Sequence, residues 1–321
     1  MMQGYHHLKT SLLTLALMMS AMVQATEDLT AVATEHYQQQ QWPEAIEAYR
    51  QLLAGDPQNE QAWYRLAQSH ISLQQGLQAL QANQQLSEAQ QIPIQLVWYQ
   101  QAQAWQLTGD EQAQLKALDQ AVRSGYSNTR ELEENPLWSE LRKHQLFSDI
   151  LQSADKNLRP CMYDERYRQF DFWLGRWEVY GDSEKSGPLF GHNHITRAEQ
   201  GCLIMEQWQG ASGSTGTSMN YFDGIQNQWV QRWVSGGGTV IDYSGGLISK
   251  AEGQQAMQLT GRIYYAQNSQ QPQVRHFRGT WTVLKSGVVR QFFEESTDGG
   301  ENWYTWFDGY YFRENNGQKD E

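Results

Sequence analysis

The sequence has a deficit of positive charge, no long apolar run and only two cysteines, and each shortage excludes a class of function. Lys and Arg total 24 against 36 Asp and Glu, for a formal net charge of −12. Nucleic acid is not an expected partner, because phosphate binding needs a basic surface. No apolar run reaches the roughly 18 residues that a membrane span requires. Two cysteines without clustered histidines do not make a structural zinc site, and we expect neither a metal nor a cofactor.

Residues 1–25 have the pattern of an export signal. The start is weakly basic around Lys9, residues 11–23 are apolar, and Ala25 ends a small-residue cleavage site. This pattern predicts a periplasmic or secreted protein. The alternative is an amphipathic start that is not cleaved.

The two cysteines, Cys161 and Cys202, both lie in the predicted mature protein. In an oxidising compartment two thiols tend to pair, so we expect a disulfide bond between them. A pair of buried free thiols is the alternative.

The composition changes near residue 155. Before this point the chain is rich in Gln, Ala and Leu, which favour helices; after it, Gly and aromatic residues alternate with polar residues, which favours strands and turns. We therefore predict two domains with different secondary structure. They are an all-α domain over 26–154 and an antiparallel all-β domain over 161–313, followed by a tail over 314–321.

A spacing of 34 residues recurs in the first domain. Ala45, Ala79 and Ala113 follow this period, Pro57 stands where a second helix would end, and Trp63 begins a Trp-x2-Leu-Ala pattern. This part of the chain resembles the tetratricopeptide repeat (TPR). The resemblance implies a stacked solenoid with a groove for a protein or peptide partner. An irregular helical bundle is the alternative.

Ten short segments in the second domain show period-two hydrophobicity with Gly- or Asn-containing turns between them. This pattern predicts an antiparallel sandwich or barrel. The candidate strands are 172–180, 190–198, 202–210, 216–222, 228–235, 239–244, 256–265, 274–284, 287–295 and 302–312.

The opening of this domain, 170–179, reads Phe-Asp-Phe-Trp-Leu-Gly-Arg-Trp-Glu-Val. Its Gly-x-Trp resembles the first motif of calycin barrels such as lipocalins, and the ten residues together resemble bacterial lipocalin-like domains. The resemblance implies that Trp177 closes one end of a barrel and that Arg313 packs over it by a cation–π contact. It implies a fold and no particular activity.

Five strand residues are candidates for binding a small apolar or amphipathic ligand in the barrel: Trp208, Arg232, Trp233, Arg278 and Trp281. Tryptophans can line a cavity, and inward arginines could hold an anionic head group. Alternatively, the tryptophans simply fill the core and the arginines face solvent. Alternation along the strand already puts Arg232 on the face opposite Trp233. The leading hypothesis is an exported, non-enzymatic binding protein.

Two other functions stay open. An enzyme could have its site at the barrel mouth, where His192, His194, His276 and the Gly/Ser-rich loop 210–216 would converge; the loop could then act as a lid. No Gly-x-Ser-x-Gly elbow supports nucleophilic catalysis, and the two strand histidines lack an evident third metal ligand. A solid barrel would instead indicate an assembly scaffold.

Residues 296–303 fit the Asp-box pattern Ser-x-Asp-x-Gly-x-x-Trp. The pattern resembles that of sialidase propellers, but this domain is too short for a propeller. We predict a hairpin turn in which Asp298 accepts hydrogen bonds from backbone amides.

Overall fold

The computed structural model describes residues 28–250, 254–265 and 273–314. The predicted export signal, 1–25, lies outside the described residues, as do 315–321 of the predicted tail. None of the helices in the described part of the chain has the length and apolar character needed to cross a membrane.

The chain divides into two compact units, one ending at Leu158 and the other beginning at Arg159. The first unit is helical. Its helices are α1 (28–38), α2 (Trp42–Gly55), α3 (Glu60–Ser72), α4 (Gly76–Gln84), α5 (Ile94–Thr108), α6 (Glu111–Arg123), α7 (Thr129–Glu134) and α8 (Gln145–Leu158).

Local signals set the helix boundaries in this unit. Pro43 occupies the first turn of α2, where its missing N–H costs nothing. The side chains of Asn59 and Asp110 accept hydrogen bonds from the third residues of α3 and α6, each at 2.9 Å. Gly109 ends α5 in the left-handed conformation, φ 77°. These turns are short and bring consecutive helices side by side.

The periodic alanines lie near the start of α2, α4 and α6: Ala45 and Ala79 are the fourth residues of their helices and Ala113 is the third. Ala45 and Ala79 are fully buried, while Ala113 is half-buried. A small side chain at this place lets two helices approach closely, which explains why the period carries alanine. The helical TPR-like arrangement predicted for the first domain is confirmed.

The array departs from a regular period after the second pair of helices. Helix α4 has only nine residues, and a connection of turns and bends, 85–93, leads from it to α5. The Glu60 carboxylate accepts hydrogen bonds from the backbone N–H groups of Gln90, Gln91 and Ile92 at 2.7–3.1 Å. These bonds lower the pKa of Glu60. One side chain thus accepts hydrogen bonds from three backbone N–H groups that have no partner in a helix or strand.

The second unit is a closed barrel of ten antiparallel strands. Each strand pairs with its neighbour in the chain, and β1 pairs with β10 to close the cylinder, so the sandwich alternative is excluded. The strands are β1 (Gly175–Tyr180), β2 (Leu189–Ala198), β3 (Leu203–Gly210), β4 (Thr215–Asp223), β5 (Gln228–Ser235), β6 (Val240–Ser249), β7 (Gln255–Tyr265), β8 (Gln273–Val283), β9 (Val289–Ser296) and β10 (Tyr304–Arg313).

An aromatic plug seals the end of the barrel at which β1 begins. It consists of Phe170, Trp173, Trp177, Trp229 and Trp281, all essentially inaccessible to solvent. The Phe170 ring lies 5.0 Å from Trp281 and 5.1 Å from Trp173, centroid to centroid. Phe170 and the short 3₁₀ turn that follows it, Asp171–Trp173, place Phe170 and Trp173 in the plug before the first strand begins. The plug is the part of the buried core that closes this end, and the core continues along the barrel through Ile263, Phe277 and Phe293.

The Gly-x-Trp motif has a steric explanation at this end. The Arg313 guanidinium lies over the Trp177 ring, 4.4 Å from its centroid, and donates a hydrogen bond of 3.1 Å to the Leu174 carbonyl. Gly175 has φ 124°, and a Cβ there would come within 2.6 Å of the guanidinium. Glycine is thus required both by the backbone conformation and by the approach of the arginine.

A disulfide bond joins Cys161, in the short helix Pro160–Tyr163, to Cys202 in the connection between β2 and β3. The predicted pairing is confirmed. The bond holds the segment before β1 against the sealed end of the barrel.

The predicted turn at 296–303 is held by its own side chains. Asp298 accepts hydrogen bonds from the backbone N–H groups of Glu301 and Asn302 and from the Ser296 hydroxyl. These bonds hold the pKa of Asp298 well below its usual range. Trp303 closes the turn by donating from its indole N–H to the Gly300 carbonyl at 2.9 Å.

Candidate ligand cavity

The barrel is hollow toward the end opposite the aromatic plug. A cavity of about 780 Å³ occupies this half and reaches the exposed residues Ala211, Ser212 and Thr305 at the mouth. Loop 210–216, predicted as a mouth loop, therefore contributes to the rim. Among the described residues that line the cavity, the side chains are mostly apolar or aromatic near the mouth and polar at the bottom.

Aromatic rings form the cavity wall. Phe307 lies 5.8 Å from Phe190, 6.0 Å from Phe293 and 6.2 Å from Trp208, centroid to centroid. On the other side Trp233 from β5 lies against β4, where a Cβ at Gly216 would collide with its ring. This wall offers flat apolar surface to a guest molecule.

A buried carboxylate stands at the cavity floor. Glu206, on β3, accepts hydrogen bonds from Asn193 Nδ2 on β2 at 2.7 Å and from the Ser218 hydroxyl on β4 at 2.6 Å. The same Asn193 Nδ2 donates to the Tyr311 hydroxyl on β10 at 3.2 Å. All four side chains are at most 3% exposed. Four strands thus converge on one acidic group.

The hydrogen-bond network continues around the barrel. Asn220 donates to the Ser218 hydroxyl at 2.9 Å, Gln231 donates to the Asn220 side-chain oxygen, and the Tyr243 hydroxyl donates to Gln231. Together with the residues around Glu206, these side chains form what we call the polar floor. The polar floor consists of Asn193, Glu206, Ser218, Asn220, Gln231, Tyr243 and Tyr311.

Burial controls the protonation of the polar floor. Loss of hydration raises the pKa of Glu206 to about 7, partly offset by the hydrogen bonds from Ser218 and Asn193. Burial also raises the pKa of Tyr243 and Tyr311 well above the usual tyrosine value, and the nearby Glu206 charge adds to this effect. Glu206 therefore changes charge near neutral pH, while both tyrosines stay neutral.

Of the three predicted tryptophans, two line the cavity. Trp208 and Trp233 belong to its wall. Trp281 is fully buried in the aromatic plug and donates its indole N–H to Gln291 Oε1 at 3.0 Å. It supports the structure below the cavity and does not face it.

The two predicted arginines do not line the cavity, and the prediction needs correction. Arg232 lies on the outer face of β5, largely exposed, 3.7 Å from Asp242. Arg278 lies on the outer face of β8, pairs with Glu294 at 2.8 Å and covers the Trp303 ring at 4.2 Å. Odd-numbered residues of both strands face inward, so both arginines alternate outward.

The histidines invoked for an enzyme are not brought together either. His192 lies on the outer face of β2 and hydrogen bonds to Glu314 Oε1 at 2.8 Å. His194 shares that face, and His276 lies on the outer face of β8. Within the described residues no cluster of His, Cys, Asp or Glu has the arrangement of a metal site.

The polar floor is the feature that sequence reasoning missed. Period two from Trp208 places Glu206 on the inner face, and period two from Trp233 places Gln231 there. That signal was available in the sequence. The contact of Glu206 with Asn193 and Ser218 depends on strand register, which no local pattern supplies.

Comparison with known proteins bears on the helical unit. A family model described as TPR repeat matches residues 33–74. The helical half is TPR-like. A search of the curated proteins finds no match.

Two solved structures are similar to part of this chain. One is the TPR2B-domain:pHsp70-complex of yeast Sti1, with 18% identity, a TM-score of 0.30, and coverage of 41% of this chain and 96% of that chain. The other is described as the crystal structure of MamA protein, with 14% identity, a TM-score of 0.35, and coverage of 42% and 74%.

Proposed function

We propose that this is a binding protein that holds a small amphipathic molecule in its barrel and engages a protein or peptide through its TPR-like helices. The observation that carries the proposal is the cavity, with aromatic walls and a hydrogen-bonding floor. Its volume falls within the range of about 300–1,000 Å³ typical of small-molecule sites. The walls would take the apolar part of the ligand and the polar floor would orient the other end.

The helical half supports the second part of the proposal. TPR repeats suggest interaction with proteins, because stacked helix pairs leave an extended surface on one side. We propose that this surface recruits a partner while the barrel carries the ligand.

We also propose that the barrel is related to lipocalin-like domains. The support is the arrangement of Gly175, Trp177 and Arg313, which matches what the resemblance implied for one end of the barrel. The kinship assigns no activity to the cavity.

The proposed location is the periplasm or the exterior of the cell. The pattern over 1–25 and the disulfide between the two cysteines support it. The test is the intact mass of the protein isolated from its own cells. A mass corresponding to a chain that begins after Ala25 is expected, and the full-length mass would refute cleavage.

Ligand binding is tested by titration with the neutral fluorophore N-phenyl-1-naphthylamine, whose emission rises in apolar surroundings. We expect saturable 1:1 binding, weakened at least several-fold in Trp208→Ala and Trp233→Ala. Tyr221→Ala removes an aromatic ring from the outer face of β4 and serves as the matched control, with unchanged affinity. Native mass spectrometry of protein from its own compartment adds a second readout, a retained ligand mass.

Absence of saturable fluorophore binding together with a clean apo mass would refute the binding function. That outcome would favour the assembly-scaffold alternative, in which the barrel has only a structural role. Binding that is equally weakened by the Tyr221 control would show that the fluorophore sits on the outer surface.

A further inference from the structure

The charged side chains among the described residues that line the cavity are all acidic. Among the described residues that line it, the only charged side chains are Glu206 and Asp308, and none is basic. Asp308 is neutralised by Arg290, which donates to its two oxygens at 2.8 Å each. Glu206 has no such counter-charge, because its two hydrogen-bond partners there, Asn193 and Ser218, are neutral.

Glu206 also keeps free capacity to accept hydrogen bonds. Each carboxylate oxygen accepts one hydrogen bond in the polar floor, and an ionised carboxylate offers about two acceptor positions per oxygen. Beside it, Asn193 Oδ1 is buried without a hydrogen-bond partner. The floor thus has an excess of acceptors.

An anionic ligand would be disfavoured at this floor. Its head group would meet the Glu206 carboxylate, while arginines of β5 and β8 are already paired with acids. Arg232 pairs with Asp242 and Arg278 with Glu294 on the outer surface, and Arg275, at an odd position of β8, pairs with Glu295. A buried charge without a partner is costly, so the site favours a group that supplies both positive charge and N–H donors.

Building on the proposed function, we propose that the ligand carries a protonated amino group that pairs with Glu206, and an apolar, preferably aromatic body held by Trp208 and Trp233. The indole faces of the wall also attract a cation as it enters. The site is thus a receptor for amphipathic amines.

The titration of Glu206 gives the proposal a pH signature. The titratable groups that face it are Tyr243 and Tyr311, both neutral across this range, and no cationic side chain of the described residues faces it. With the pKa of Glu206 near 7, about one tenth of the sites are ionised at pH 6 and about nine tenths at pH 8. Amine affinity should therefore rise about tenfold between these pH values.

The test uses three probes that share the naphthalene ring and differ in the end group: the amine 1-naphthylmethylamine, the alcohol 1-naphthylmethanol and the carboxylate 1-naphthaleneacetate. Each displaces N-phenyl-1-naphthylamine from the full-length protein at pH 6 and pH 8. At pH 8 we expect the amine to bind at least about tenfold more tightly than the alcohol, as is usual for a hydrogen bond to a charged group. The acetate should bind most weakly, and the alcohol should show little pH dependence.

Glu206→Gln keeps the shape of the side chain and removes the charge. In this variant the amine should bind no better than the alcohol at either pH. Glu178→Gln makes the same change on the outer face of β1, where Glu178 pairs with Lys185, and should leave all three affinities unchanged. If Glu206→Gln fails to fold, the order of the probes and the pH profile of the native protein still decide the question.

The outcomes separate the two proposals. Fluorophore binding with equal affinities for amine and alcohol would overturn the ligand class and leave the binding function standing. Tighter binding of the acetate would overturn the electrostatic argument. No saturable binding of the fluorophore would overturn the binding function itself, and the ligand class with it.

Discussion

Replacing Glu206 by glutamine should change how the stability of the ligand-free protein depends on pH. In the unfolded chain this carboxyl has its ordinary pKa near 4.5, and in the folded barrel its pKa is about 7. The folded state therefore binds the proton more tightly than the unfolded state. The stabilisation is complete below about pH 4.5, declines as pH rises toward 7, and is gone above it.

The size of the effect follows from the difference between the two pKa values. Each unit of separation corresponds to about 1.4 kcal/mol, so the step from 4.5 to about 7 amounts to about 3 kcal/mol in all. Glutamine has no proton to lose. As pH is raised from 4.5 to 8, the free energy of unfolding of Glu206→Gln minus that of the native protein should therefore increase by up to about 3 kcal/mol.

The assay is urea denaturation of both proteins at pH 5, 6, 7 and 8, followed by tryptophan fluorescence. The difference between the two proteins cancels the titration of every other group. Glu178→Gln is the matched control, since it makes the same exchange on the outer surface. If the native protein and Glu206→Gln keep a constant difference over this range, the pKa of Glu206 is not raised and the account of the polar floor is wrong.

Substitutions that probe three other features test the fold. Cys202→Ser opens the disulfide across 41 residues and should lower the free energy of unfolding of the barrel by about 4 kcal/mol or somewhat less; reducing agent should then have no further effect. Arg313→Ala should cost about 1 kcal/mol through the lost contact with Trp177, and Arg313→Lys should restore only part, because ammonium does not stack as a plane. Ala45→Leu should lower the stability of the helical unit by about 1–3 kcal/mol in thermal melts followed by circular dichroism, whereas Ala54→Leu, at an exposed place on the same helix, should not. Equal melting temperatures for these two leucine variants would contradict the packing argument.

Local patterns predict most of this fold. The 34-residue period and the caps at Asn59 and Asp110 act within a helix pair, so the sequence alone indicates the helical array. Strand alternation likewise indicates the barrel and places Trp208 and Trp233 on its inner face. Alternation also argues against Arg232 as a ligand-binding residue of the cavity, because it lies between two inward-facing residues of β5.

The site itself needs information that is not local. Asn193 and Glu206 meet because β2 and β3 pair in one particular register, and Tyr311 joins them only after β10 closes the barrel against β1. Trp281 faces inward as its period indicates, but only the three-dimensional packing shows that it lies within the plug. A sequence pattern can assign a face to a side chain, whereas depth along the barrel comes from the assembled structure.

The polar floor has a consequence for how this cavity could acquire new specificities. Its side chains bond to one another across adjacent strands, so each of them helps to hold the alignment of those strands. A change there would alter ligand preference and the stability of the barrel together, and paired changes would not add independently. The rings of Phe190 and Phe307, nearer the mouth, have no hydrogen-bonding atoms, so a change there leaves these hydrogen bonds between strands in place. Sequence differences among related barrels should therefore be concentrated in the cavity wall near the mouth. The residues of the polar floor should change together or not at all.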